Sequence, residues 1–201
     1  MKLYCSPGAC SLASHIALRE AGLACEIVMV GRDKKTADGR DYNAINPKGY
    51  VPALELDDGQ VLTEGPTILQ YIADRSPASG LAPAAGSLQR YRLQEWLGYI
   101  NSEVHKGFGP FFNPAATPAM KEAAIATLSR RLGFIEQALG DRPFLLGEGF
   151  SVADAYLFVV LGWGRYANVD IGQWPRLKAL HARVAGRPRV QEAMKEEGLL
   201  K

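Results

Sequence analysis

The sequence predicts a small α/β domain joined to an all-α domain. Three observations predict it: β-type and helical runs alternate through the first 75 residues, small residues with Pro and Gly fill 76–86, and every periodic segment beyond is helical. The boundaries drawn are 1–77 for the first domain, 78–86 for the linker and 87–201 for the helical domain.

Residues 2–5 and 25–30 read as strands, the second through the run Glu-Ile-Val-Met-Val after Cys25. Between them, Leu12, Ile16, Ala17 and Ala21 recur at helical spacing over 11–21, and Gly22 stops the helix. Such a β-α-β unit needs parallel strands and a right-handed crossover. Short strands at 53–56 and 61–63 flank Asp57-Asp58-Gly59, a hairpin turn signal. A helix over 64–74 then turns Ile68, Leu69 and Ile72 inward. The order β-α-β, loop, β-β-α is a thioredoxin-like layout. Beyond the linker, helices are predicted over 88–108, 119–139, 152–167, 176–185 and 190–197, punctuated by prolines such as Pro110, Pro118, Pro143, Pro175 and Pro188.

Composition narrows the function class. Twenty-three basic and 21 acidic residues are intermixed, giving a net charge of +2, so no charged block predicts a nucleic-acid or membrane-surface partner. No run approaches the roughly 18 apolar residues of a membrane span, and residues 1–20 lack a signal-peptide core. Cys5, Cys10 and Cys25 are odd in number and crowded near the start, which predicts thiols in a reducing compartment, the cytoplasm.

Five places carry candidate chemistry. Cys10 follows the turn Ser6-Pro7-Gly8-Ala9 and opens the first predicted helix, where free amides favour a thiolate and Ser11 can add a hydroxyl hydrogen bond. A small buried cysteine is the competing reading, and position does not separate the two. Cys25 reads as core. Val51-Pro52 begins a strand, where proline is unusual. A cis bond there would turn the Val51 backbone outward to pair with a peptide ligand, whereas a trans proline would be an ordinary strand start. Glu64 and Gly65 fall where strand becomes helix. Together they can hold the two charged ends of an α-amino acid, or Glu64 can simply cap the helix. His105 and Lys106 end a long apolar helix and either reach a site or are structural. Ser151-Val152-Ala153-Asp154 reads as a capping box, not a site. His15 and His181 have no such context.

The segments 2–20 (KLYCSPGACSLASHIALRE), 46–52 (NPKGYVP), 62–65 (LTEG), 103–108 (EVHKGF) and 151–160 (SVADAYLFVV) together resemble the cytosolic glutathione transferases. The likeness is to the bacterial, cysteine-using beta class and runs over essentially the whole length. It implies the glutathione transferase fold: a thioredoxin-like glutathione-binding domain, then a helical domain carrying a hydrophobic substrate pocket. By this resemblance Cys10 lies against the glutathione sulfur and can form a mixed disulfide with it. Val51, before a cis Pro52, pairs with the cysteinyl backbone, and Glu64 and Gly65 hold the γ-glutamyl end. Lys34 or Lys35 meets the glycine carboxylate, with Lys34 the better match because the preceding loop is one residue shorter than the family's. His105 and Lys106 approach the thiol. Ser102 and Glu103 reach the second glutathione of a homodimer.

The implied activity is conjugation of glutathione, a co-substrate, to small hydrophobic electrophiles, with detoxification as its setting and no separate cofactor or metal. Thiol exchange or reductive dehalogenation through Cys10 is a possible extension. Phe108, Phe111, Phe112, Trp163 and Tyr166 are candidate walls of the apolar pocket, or ordinary core. Cys5 departs from the tyrosine often found there and is a candidate second reactive thiol. The alternatives are a non-enzymatic binding or regulatory protein on the same fold, and a glutaredoxin-like reductase.

Overall fold

The computed structural model describes residues 1–201 and divides into two compact units, residues 1–82 with 186–201, and residues 83–185. In the first unit, strands β1 (Lys2–Cys5), β2 (Glu26–Met29), β3 (Ala53–Glu55) and β4 (Val61–Thr63) form one sheet in the order β2-β1-β3-β4. The β1–β2 pair is parallel with Leu3 opposite Ile27, and β1–β3 and β3–β4 are antiparallel. The sequence reading is met, with each end trimmed by a residue or so. The hairpin turn closes as expected: Leu56 N–H reaches the Gln60 carbonyl at 2.8 Å, and Gly59 takes the left-handed φ of 82° that a side chain resists.

The central strand β1 is buried on both faces. Tyr4 packs with Val28, Val30, Tyr42 and Ala53 on one face, so Leu3 and Cys5 point to the other. Helix α1 (Ser11–Glu20) packs against α3 (Gly65–Arg75), burying Ile16 and Ala17 with Ile68, Leu69 and Ile72. Helix α1 ends in a Schellman motif, in which Leu23 N–H bonds Leu18 O and Gly22, at φ 66°, bonds Arg19 O. A short helix α2 (Tyr42–Ile45), not foreseen in the sequence, seats Tyr42 in the core.

The second unit holds α4 (Leu88–Tyr99), α5 (Gly109–Phe112), α6 (Pro118–Leu139), α7 (Val152–Gly162), α8 (Gly164–Ala167) and α9 (Pro175–Ala185). The single helix expected over 88–108 is instead three structures in series: α4, a π-helical segment Ile100–His105 and a 3₁₀ turn Lys106–Phe108. Its buried residues Leu93, Leu97, Ile100, Val104 and Phe108 recur every three or four positions, a spacing that does not reveal which carbonyl each amide uses. The helix expected over 152–167 breaks at Trp163, and the chain doubles back so tightly that a Cβ on Gly164 would lie 2.5 Å from the Val169 carbonyl. The capping box is present: Asp154 Oδ2 accepts from the Ser151 N–H at 2.9 Å and its hydroxyl at 2.6 Å, and Oδ1 accepts from the Leu145 N–H at 2.8 Å.

Helix α10 (Pro188–Glu196) differs from the sequence reading of 87–201 as one helical domain. It packs on α1 and belongs to the sheet unit. A 3₁₀ turn, Pro77–Ser79, spans the expected boundary between the first domain and the linker, and buried Leu81 anchors the linker.

Candidate functional site

In the sheet unit, residues 6–9 form a turn closed by Ala9 N–H to the Ser6 carbonyl at 3.0 Å, which delivers Cys10 to the N-cap of α1. Cys10 is half-buried, and its thiol donates to the Val51 carbonyl at 3.2 Å. Ser11 does not serve the thiol as expected. Its hydroxyl donates to the Ser6 carbonyl at 3.3 Å and accepts from the Ser6 amide at 3.1 Å, so its one proton stays in the turn. The other cysteines are unlike Cys10. Cys5 is fully buried in β1 against Met29 Sδ at 3.6 Å, and burial pushes its thiol pKa far up, so the expectation of a second reactive thiol is corrected. Cys25 lies just before β2 and is half-buried, not core, and burial raises its thiol too.

The Val51–Pro52 bond is cis. The loop before it is held from below: the Tyr42 hydroxyl and the Asn46 amide both donate to the Tyr50 carbonyl, at 2.7 and 2.8 Å. Lys34 Nζ donates to the Gly49 carbonyl at 2.8 Å, whereas Lys35 is held through its backbone, to Asp33 Oδ1, to the Gly31 amide and in a bridge with Asp41, so Lys34 is the lysine brought to the Val51 loop. With the Val51 carbonyl facing Cys10, its N–H has no partner within the chain.

Glu64 sits between β4 and α3 at φ 68°, a left-handed conformation uncommon outside glycine. Its side chain does not cap the helix. It points outward and pairs with Lys48 Nζ at 2.8 Å, and that ammonium also reaches Thr63 Oγ1 at 2.9 Å. Gly65 and Pro66 open α3, so the Gly65 amide belongs to the unpaired first turn.

In the helical unit, the π segment and its 3₁₀ extension carry Ser102, Glu103, His105 and Lys106. His105 Nδ1 lies 2.6 Å from the Tyr156 hydroxyl, which gives its own proton to Asn101 Oδ1 at 3.0 Å. The imidazole therefore carries its hydrogen on Nδ1 and keeps Nε2 as an acceptor. Burial, helped by the charge of Lys106, lowers the His105 pKa to about 4, so the ring is neutral near pH 7. Ser102 Oγ donates to Glu103 Oε1 at 3.3 Å, and Glu103 is ion-paired with Arg131. Trp163 stands edge-on to His105 at 4.8 Å, to Phe108 at 5.8 Å and to Phe112 at 5.5 Å, and Phe112 meets Tyr166 at 6.3 Å. The expected aromatic cluster is real but uneven. Phe108 and Trp163 are 1% and 6% exposed and form its base, whereas Phe112 and Tyr166 are 54% and 58% exposed and present its face.

The two halves of the chain match two domain families, the glutathione S-transferase N-terminal domain over residues 8–75 and C-terminal domain over 99–188. The chain belongs to the glutathione S-transferase family. The glutathione S-transferase GstA of Escherichia coli O157:H7 is 46% identical over 99% of this chain and all of its own. The bacterial transferase BphK, solved as a ternary complex, superposes with a TM-score of 0.97 at 57% identity over 99% of this chain and all of its own. A beta-class transferase of Sphingomonas chungbukensis matches at TM-score 0.96 and 48% identity over the full length of both. The beta-class resemblance read from the motifs is thus the family shown, and the chain is a transferase.

Sequence reasoning missed several participants in this transferase. Lys48 lies within the NPKGYVP motif, but nothing in its spacing points across 16 residues to Glu64. Tyr156 sits within the SVADAYLFVV motif, and Asn101 precedes Ser102, yet their convergence on His105 needs the folded packing of α7 against the π segment.

Proposed function

We propose that this transferase conjugates glutathione to small hydrophobic electrophiles, with Cys10 against the glutathione sulfur and His105 as the acceptor of its proton. One observation carries the reading: a thiol at a helix start and the Val51 peptide beside cis-Pro52 are joined by a single hydrogen bond, so a tripeptide paired along Val51 would bring its own sulfur to Cys10. Val51 supplies the unpartnered N–H, Glu64 and Gly65 take the ammonium and carboxylate of the γ-glutamyl end, and Lys34 takes the glycine carboxylate. The amides at the start of α1 stabilise the glutathione thiolate, and neutral His105 offers Nε2 to its proton. The thiolate then attacks the electrophile and displaces its leaving group, giving a thioether. Lys106 adds positive charge, and the Phe112–Tyr166 face, on its Phe108–Trp163 base, receives the apolar co-substrate.

The assembly we infer is a homodimer in which Ser102 and Glu103 serve the neighbouring subunit's glutathione. Its support is a shallow cleft of about 270 Å³ on α4 and α6, lined by Arg92, Glu95, Trp96, Tyr99 and the half-exposed Phe134. Three free cysteines fit a reducing cytoplasm, and no helix is long and apolar enough to cross a membrane.

A panel of electrophiles assayed with glutathione, comparing the natural chain with Cys10→Ala and Cys5→Ala, tests the reading. After incubation with glutathione disulfide, from which the Cys10 thiolate would take one glutathionyl sulfur and release the other half as glutathione, intact mass should show a glutathionyl adduct that Cys10→Ala loses and Cys5→Ala keeps. No conjugation of any electrophile, together with no glutathione binding, would refute it.

A further inference from the structure

The turn after Trp163 places a cation at the open end of the aromatic face. In the run Gly164-Arg165-Tyr166-Ala167, which forms α8, Gly164 and Ala167 are buried and the two residues between them are exposed. In a single helical turn, positions i and i+3 share one face, so the pair between them is left outside. The chain beyond closes tightly: Val169 N–H bonds the Gly164 carbonyl at 3.0 Å, and Asn168 takes the left-handed φ of 52°. Arg165 and Tyr166 therefore stand on a backbone anchored on both sides. Arg165 Nη2 donates to the Tyr166 hydroxyl at 2.7 Å, and its Cζ lies 4.7 Å from the centroid of that ring. No carboxylate pairs with it, whereas Arg92, Arg131 and Arg176 of the same unit pair with Glu95, Glu103 and Asp141. The contact with Tyr166 uses one N–H of the guanidinium fork and leaves the rest unfilled.

We propose that Arg165 is the anion subsite of the apolar pocket, and that the electrophiles this transferase prefers carry a carboxylate at the end remote from the reacting carbon. From His105 the rings follow in succession, Trp163 at 4.8 Å, Phe112 a further 5.5 Å and Tyr166 a further 6.3 Å, with Arg165 on the last ring. An electrophile laid along this face with its reacting carbon at His105 carries its far end to the guanidinium. Lys106 follows His105 in the chain and so stands at the reacting end, away from that subsite. A planar guanidinium resting on a ring keeps its edge for a bidentate carboxylate and has already given up much of its freedom. The assignment rests on the proposed conjugation and adds to it the charge of the substrate. In the step itself the glutathione sulfur forms the new C–S bond, and the leaving group departs with the electron pair of its own bond. The thiol proton goes to His105 Nε2, and Arg165 holds only the spectator carboxylate.

The experiment uses two matched pairs of compounds. N-(4-chloro-3,5-dinitrobenzoyl)glycine and its glycinamide share one reacting aryl chloride and differ by a single negative charge. The same two compounds without chlorine bind but cannot react. Conjugation of the first pair with glutathione at pH 7 gives kcat/KM for each, divided by its uncatalysed rate. Quenching of tryptophan fluorescence gives Kd for the second pair with no glutathione present. The natural chain should favour acid over amide about threefold or more in both measures, the scale of an exposed ion pair. Arg165→Met keeps an apolar stem over Tyr166 without the charge and should abolish the preference in both, and Arg165→Gln serves where methionine disturbs the turn. Arg130→Gln removes an exposed cation of α6 whose partner is Thr127, and should leave both ratios as they are. Each ratio is internal to one variant, so a partly unfolded sample cannot imitate the result. Equal treatment of acid and amide by the natural chain, a preference kept in Arg165→Met, or an equal fall in Arg130→Gln overturns the proposal. A natural chain that conjugates neither compound would instead count against the proposed function, and the Kd ratio alone would then decide the anion subsite.

Discussion

His105 and Tyr156 are joined by a 2.6 Å hydrogen bond in which the imidazole donates from Nδ1, and the tyrosine passes its proton on to Asn101. The bond fixes the ring's tautomer and its orientation against Trp163. Removing the hydroxyl in Tyr156→Phe should lower the turnover of conjugation by about tenfold or less, the worth of one hydrogen bond of ~0.5–1.5 kcal/mol. Steady-state kinetics at pH 7 should show the loss in kcat, with KM for glutathione little changed.

The same burial predicts a pH signature in stability. His105 titrates near 4 in the folded chain, below its ordinary value of 6.5. As pH falls below 6.5 the unfolded chain binds a proton that the folded chain refuses, so this group's contribution to stability is lost between about 6.5 and 4 and is flat above pH 7. Urea titrations of His105→Gln should therefore fall less between pH 7 and pH 5 than those of the natural chain, by about 2 kcal/mol.

Asp154 is buried and serves three donors, from Ser151 and Leu145, while burial itself raises its carboxyl pKa. Asp154→Ala leaves those donors buried and unpaired, and should cost about 3–5 kcal/mol of unfolding free energy measured in urea. An effect below about 1 kcal/mol would mean that the box does not anchor α7.

Glu64 behaves oppositely, since its pairing with Lys48 is exposed. Glu64→Gln should change stability by less than about 1 kcal/mol but raise KM for glutathione severalfold. A melting temperature that drops together with an unchanged KM would reassign Glu64 to the fold.

These contrasts separate what sequence can show from what it cannot. The capping box, the hairpin turn and the helix-opening position of Cys10 are local, each set by residues within a few positions, and they were legible. The π segment was not, because apolar spacing at 93, 97, 100, 104 and 108 is the same for two hydrogen-bond registers. Cys5 looked available because its burial comes from residues distant in sequence, among them Met29, whose Sδ lies 3.6 Å from the thiol. The home of α10 was hidden for a similar reason: its apolar face fits any core, and the pairs of Arg187 with Glu20, Arg19 with Glu196, and His15 with Glu196 and Glu197 choose α1.

The Gly8–Glu197 hydrogen bond spans 189 positions of sequence. At a synthesis rate of ~5–20 residues per second, the amide at the start waits roughly 10–40 s for its carboxylate. Until then the nascent sheet unit holds His15 in α1 without its two glutamates, and the helical unit emerges entirely during that interval. A fragment cut after Ala82 would remain at that interrupted stage, with the turn before Cys10 still lacking its far anchor.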